Sequence, residues 1–284
     1  MTIRSVTVFT HRRPRDVEAG LVALRRAAAK AGVQLRFDED ETIRHKLEPG
    51  EGVLVNAPVR RDVDLCIVMG GDGTILRALR SYAGTGVPVF AINYGEVGFL
   101  ATADAEDLED ALQRALSGAF EVLSLPAIEV RGHGSALIAM NDISFHRKQG
   151  LRVARLSYAV GDDEVGRVRC DGLVIATPAG STGYNLANGG PVMAWGVEGF
   201  VVSFIAPHSL TARTLVVAPG DVLTVANRSR DEPIDVTIDG RPMWELEPGE
   251  SVEARFVPDQ GTLARIPGTS FYHRLREKFG RMAS

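Results

Sequence analysis

The sequence predicts a chain in two parts, an α/β part built on a parallel sheet followed by an all-β part. Three observations carry that expectation. Up to about residue 118, short apolar runs alternate with stretches whose apolar residues recur every three or four positions, which is the pattern of strands separated by helices. From about residue 120 the helical period disappears, and strand-like runs follow one another between turn signals such as Pro219-Gly220, Asp239-Gly240 and Pro248-Gly249. Over residues 270–282 helical spacing returns, with Phe271, Leu275 and Phe279 four apart. The expected division is therefore 1–118 as the α/β domain, with 267–284 packing back on it, and 119–266 as the β-rich domain.

Each element has its own reason. Residues 5–9 read as the first strand. Val17, Leu21, Leu24, Ala28 and Ala31 trace the apolar stripe of a helix that Gly32 closes, since glycine enters the left-handed C-cap conformation without steric cost. Strands follow at 63–69 and 87–92, then a helix at 105–116. Strands joined through helices must pair in parallel, because each crossover brings the chain back in the same direction. In the β part, strands are expected at 136–145, 155–160, 172–177, 200–205, 222–226, 234–238 and 252–256.

Composition removes several function classes. The 284 residues are 45% apolar and 24% charged, ordinary for a soluble globular chain. A net charge of −4, with the Arg-rich stretches short and mixed with acids, argues against a nucleic-acid partner. No apolar run reaches the length of a membrane span, and the apolar part of the opening residues is too short for a signal peptide. No membrane partner and a cytoplasmic location are expected. Cys66 and Cys170 each sit in an apolar run and read as buried thiols, not as a disulfide or a metal pair. Trp195 and Trp244 read as packing residues.

Chemistry concentrates in three places. Gly70-Gly71-Asp72-Gly73-Thr74 lies between the strand at 63–69 and a helix marked by Ile75, Leu76 and Leu79. Helix-start amides attract phosphate, and glycines let the backbone approach it. Asp72 would repel that phosphate unless it holds a metal or takes a proton from the attacking group; the plainer reading is a turn in which Asp72 caps the helix. The loop lacks the Gly-Lys-Ser/Thr of a Walker loop and the spacing of a dinucleotide fingerprint. The second place is 171–191, where a buried strand empties into a loop of glycines and hydroxyls containing Tyr184. Such a loop offers polar contacts and a face for a nucleobase, or else is a wide turn with Tyr184 filling core space. The third is Asn141-Asp142, two polar residues inside the apolar run 137–145, one of which should face inward and need a partner.

GGDGTIL at 70–76, the Asn-Asp pair at 141–142, DGLVIATPAGSTGYNLANGGPVM at 171–193, APHSL at 206–210 and RIPGTSFYHRLREKFG at 265–280 occur in that order. Together they resemble the NAD kinase family, over roughly residues 60–280. The first motif alone is shared with lipid kinases of the diacylglycerol type, and a non-catalytic dinucleotide-binding protein is the other alternative. The resemblance implies a Rossmann-like α/β domain, then a β-sandwich-like domain, with the C-terminal helix rejoining the first, in a homodimer or homotetramer. It implies phosphoryl transfer from ATP, or from polyphosphate, to NAD, with magnesium carried on the donor phosphates and not in a dedicated protein site.

Position by position, Asp72 resembles the family's proton acceptor, with Gly73 beside it in the NAD site and Gly70, Gly71, Gly73 and Thr74 as the phosphate loop. Arg77 would contact phosphates. Asn141 and Asp142 resemble the pair that holds the substrate's ribose and adenine. Asp171 resembles the acid at the nicotinamide end, with Arg169 and Arg152 as companions. Thr182, Gly183, Tyr184, Asn185, Leu186 and Ala187 resemble the adenosine-binding loop, where Tyr184 packs on the base. His208 either touches the ligand or ties strands together. Ala179, Gly183 and Asn185 replace the family's common Thr, Ala and Ser, and in the family-like stretch 93–100 Val97 replaces Leu.

Overall fold

The structure, a computed structural model, describes residues 2–95, 98–268 and 270–280. Val97 and residues 281–284, where the expected C-terminal helix ends, lie outside them. The first elements are β1 (Ser5–Thr10), α1 (Pro14–Ala31), β2 (Gln34–Arg36), α2 (Glu39–His45), β3 (Val53–Leu54), β4 (Leu65–Gly70), α3 (Asp72–Ser81), β5 (Val89–Asn93), β6 (Ala103–Asp104) and α4 (Leu108–Ser117). There follow β7 (Glu121–Gly132), β8 (Ser135–Ala139), β9 (Asp142–Arg147), β10 (Ala154–Val160), β11 (Asp163–Cys170), β12 (Gly172–Ala176) and the short α5 (Tyr184–Ala187). The last are β13 (Phe200–Ile205), β14 (Leu215–Val217), β15 (Val222–Asn227), β16 (Ile234–Ile238), β17 (Arg241–Leu246), β18 (Ser251–Arg265) and α6 (Phe271–Phe279). The chain divides into two compact units, one running to Ser124 and resuming at Gly261, the other Leu125–Gln260.

In the first unit β3, β2, β1, β4 and β5 lie side by side, every neighbouring pair parallel. The end of β18 joins this sheet, Leu263 pairing in parallel with Val89. All six residues of β4 are buried, as a central strand covered on both faces requires. One core gathers Val6, Val8, Ile67 and Met69 of the sheet with Leu21 and Leu24 of α1 and Leu112 of α4. Gly32 closes α1 in the left-handed conformation, φ 66°. Ser270 caps α6 by accepting the N–H of His273, and Phe271 and Phe279 bring their rings within 6.3 and 5.9 Å of the Phe99 ring.

The second unit is an antiparallel sandwich. One sheet contains β11, β10, β15 and the start of β18. The other is ordered β14-β13-β12-β9-β16-β17. Ile143, Phe145, Leu173, Ile175, Val202 and Val236 of the second sheet meet Leu156, Leu223, Val225 and Val252 of the first in one core. On the outer face of β12, Val174 and Ala176 pack with Met193 and Val201, so this strand is buried on both sides and reads as a continuous apolar run.

Two expectations are corrected. The run 136–145 is not one strand: it breaks at Met140-Asn141 into β8, paired with β7, and β9, paired with β12 and β16. The strand expected at 252–256 continues to Arg265, because it leaves the sandwich and ends in the parallel sheet of the first unit.

Candidate active site

The glycine turn follows the carboxyl end of β4, where an open parallel sheet presents its ligand crevice. α3 begins at Asp72 with no side chain capping it, so its first amides point outward from the turn. A β-carbon on Gly70 would stand 2.7 Å from Thr74 Oγ1, so the turn closes only around glycine. Asp72 is not a helix cap. Its Oδ2 accepts the N–H of Phe99 at 3.1 Å and its Oδ1 that of Leu100 at 3.3 Å, which fixes the carboxylate against the loop after β5. Each oxygen keeps a lone pair for another partner.

Arg77 lies one turn further along α3. Its guanidinium lies 4.5 Å from the centre of the Phe9 ring and donates to Glu41, a fully buried carboxylate on α2. Glu41 also accepts from Thr10 Oγ1 at 2.5 Å and from Arg44 at 2.7 Å. Burial alone would raise the Glu41 pKa, but these hydrogen bonds outweigh it and hold the carboxyl below its usual range. Arg77 is thus a cation paired with Glu41 whose side chain stays 30% exposed.

In the second unit the break between β8 and β9 builds a second cluster. Asp239, at the β16–β17 turn with φ 49°, accepts the N–H groups of Met140, Asn141 and Asp142. Asn141 is held further by its carbonyl, which accepts the Thr177 N–H at 2.8 Å, while its buried side-chain Oδ1 has no hydrogen-bond partner. A β-carbon on Gly180 would collide with the Asn141 carbonyl. Asp142 is 8% exposed. Burial, then the charge of Asp239, pushes its pKa up to about 7.

Strand alternation extends this cluster into a polar face. Ile143 and Phe145 point into the sandwich core, so Asp142, Ser144 and His146 share the outer face of β9, beside Asp235 and Thr237 of β16. Ser144 Oγ lies 2.6 Å from Thr237 Oγ1 and 2.9 Å from His146 Nε2. Tyr184 stacks on His146, ring centres 5.5 Å apart, and remains 37% exposed. Asn185, by contrast, is fully buried and holds the loop, donating to the carbonyls of Ser181 and Pro191 at 2.9 Å each. Thr182 donates to the Ala179 carbonyl, and Gly183, Leu186 and Ala187 carry the short helix that presents Tyr184.

Asp171 pairs with Arg147 and not with the two arginines expected beside it. Its Oδ1 accepts from Arg147 Nε at 2.5 Å. Arg152 is exposed and lies 3.9 Å from Glu232, and Arg169 is exposed, its carbonyl accepting the N–H of His208. The His208 side chain is exposed, and its backbone ties two segments. Arg147, His146, Ser144, Thr237 and Asp239 were not singled out from sequence. The signal for the first three was present in the polar–apolar alternation of Asp142-Ile143-Ser144-Phe145-His146-Arg147. Among the described residues no group of three or more His, Cys, Asp or Glu side chains forms a ligand set for a metal.

A glycine turn bearing a fixed carboxylate at a strand end, in a chain that continues into a sandwich with a polar strand face, fits the class of two-domain nucleotide-dependent kinases. The comparisons identify which. The model of the ATP-NAD kinase N-terminal domain matches residues 27–120, and that of the ATP-NAD kinase C-terminal domain matches 140–264. The chain is 35% identical to the NAD kinase of Gemmatimonas aurantiaca over 97% of this chain and 95% of that one. It is 34% identical to NAD kinase 2 of Streptomyces coelicolor over 98% and 94%. The chain belongs to the NAD kinase family. Its fold is that of yeast NADH kinase, solved with NADH, at a TM-score of 0.86, 21% identity and coverage of 100% and 89%. It also matches the Archaeoglobus fulgidus NAD kinase solved with ATP, at a TM-score of 0.74, 24% identity and coverage of 99% of each. The lipid-kinase and non-catalytic readings are not favoured.

Proposed function

We propose that the chain transfers the terminal phosphoryl group of ATP to the 2′-hydroxyl of the adenosine ribose of NAD, giving NADP, with Asp72 as proton acceptor. The ribose oxygen forms the new P–O bond. The bond from the terminal phosphorus to the β,γ-bridging oxygen breaks, the diphosphate leaves with that electron pair, and the hydroxyl proton passes to the Asp72 carboxylate. The observation that carries this reading is a carboxylate fixed by the Phe99 and Leu100 amides at the glycine turn. A negative charge beside a phosphate seat opposes binding unless it acts in the reaction.

The substrate side is read from the second unit. Asn141, with its unpartnered Oδ1, and Asp142 take the ribose and adenine, Tyr184 offers its exposed face to the base, and the Arg147–Asp171 pair marks the nicotinamide end. The donor is the magnesium complex of ATP, with polyphosphate as a second donor because it also presents a terminal phosphate. Leu210, 95% exposed, and Val216 on the edge strand β14 support assembly into a homodimer or homotetramer. Free, buried Cys66 and Cys170 suit a cytoplasmic enzyme. The test supplies purified protein with NAD and either Mg-ATP or Mg-polyphosphate and scores NADP with an NADP-specific dehydrogenase. NADP formed from ATP supports the proposal, and none from either donor overturns it.

A further inference from the structure

The loop that holds Asp72 is itself held from the far end of the chain. Arg274, in the middle of α6, is half-buried and directs Nη1 to the carbonyl of Gly98 over a long 3.4 Å contact. The next two residues are Phe99 and Leu100, whose N–H groups bind the Asp72 carboxylate. The Phe99 ring is packed by Phe271 and Phe279, and the Lys278 ammonium stands 4.6 Å from its centre. Gly98 leaves no slack: a β-carbon there would stand 3.0 Å from Asp72 Cγ and closer to Oδ1. The groups facing the Arg274 guanidinium are Asp104 at the end of β6, Glu277 on its own helix, Asp72, and the cation Arg265 at the end of β18. Among the described residues Arg274 makes no ion pair at contact distance with these carboxylates, and its hydrogen bond goes to the Gly98 carbonyl.

We propose that Arg274 is a positioning residue for Asp72, acting through Gly98 to set the two amides that aim the carboxylate. A cation donating to a peptide carbonyl draws electron density along that peptide and strengthens the next N–H as a donor, here the Phe99 N–H bound to Asp72. α6 therefore serves turnover as well as packing. Removing the guanidinium loosens the aim of the carboxylate while leaving the surface that binds NAD in place.

The proposal rests on Asp72 as proton acceptor, so Asp72→Asn is measured beside it. In the full chain, Arg274→Met should lower kcat about 10-fold or more and leave KM for NAD within about 3-fold, since misaiming a catalytic group costs rate before affinity. Arg274→Lys keeps the charge and should recover part of the lost kcat. Should Arg274→Met fail to fold, Arg274→Gln is read the same way: a fall in kcat at steady KM supports the proposal. Unchanged kcat in the folded neutral variant, with Asp72→Asn inactive, overturns the role of Arg274 alone. Normal turnover in Asp72→Asn instead overturns the reading on which it rests.

Discussion

The α-carbon of Gly98 and the carboxylate of Asp72 occupy adjoining space, and that space admits no side chain: a β-carbon on Gly98 would lie 3.0 Å from Asp72 Cγ. The carboxylate and the loop after β5 are therefore fitted to each other. Gly98→Ala must displace Asp72, and a displacement near 1 Å costs about 100-fold in rate. The expected outcome is a kcat lower by about that factor with a modest change in melting temperature, checked by steady-state kinetics and calorimetry on the same preparation.

Glu41 and Arg77 lock α2 to α3 behind the glycine turn. Glu41 is fully buried, so Glu41→Gln leaves Arg44 and Arg77 short of their counter-charge and should destabilise the protein by about 2–3 kcal/mol, below the full cost of a buried pair because both arginines are partly exposed. The folded pKa of Glu41 lies below its unfolded value. Its contribution is thus present above pH of about 4.5 and lost as pH falls through the folded value. Urea unfolding at pH 7 and pH 4 should show the gap between wild type and Glu41→Gln narrowing at the lower pH.

Asp142 works in the opposite sense. Its pKa is raised, so between the unfolded value near 4 and about 7 the folded protein binds the extra proton, and stability falls as pH rises across that window. Asp142→Asn resembles the protonated form. It should match wild type only at about pH 3.5, below both values, and melt progressively higher as pH rises to 8, by several degrees, while raising KM for NAD. A thermal-shift series across pH checks it, and a variant that melts lower at pH 8 contradicts the raised pKa.

Tyr184 and His146 stack with the tyrosine face still reachable. Tyr184→Ala should raise KM for NAD about 10-fold, the loss of roughly 1.4 kcal/mol of base stacking, and Tyr184→Phe should not. Steady-state kinetics at varied NAD measures both.

Much of the fold was legible because it rests on local pattern. The runs at 5–9, 63–69 and 87–92 are mostly apolar since β1, β4 and β5 are largely buried, and Gly32 announced the end of α1 by its need for positive φ. The break at Met140-Asn141 was not legible: both flanks are apolar, and what separates them is Asp239, about a hundred residues away, collecting three amides. Arg152 and Arg169 were expected beside Asp171 from the resemblance, whereas antiparallel pairing of β9 with β12 brings Arg147 across to it. Asp72 was recognisable as unusual, but that it is held by Phe99 and Leu100 depends on a loop from another strand.

The central claim is that Asp72 takes the ribose proton, and Asp72→Asn tests it most directly. Asparagine keeps the size and one acceptor but not the basicity. NAD affinity by titration calorimetry and NADP formation from Mg-ATP, measured on the same folded variant, should show binding within a few-fold of wild type and turnover lower by about 10²–10⁴-fold. Turnover close to wild type with NAD bound normally would contradict the account.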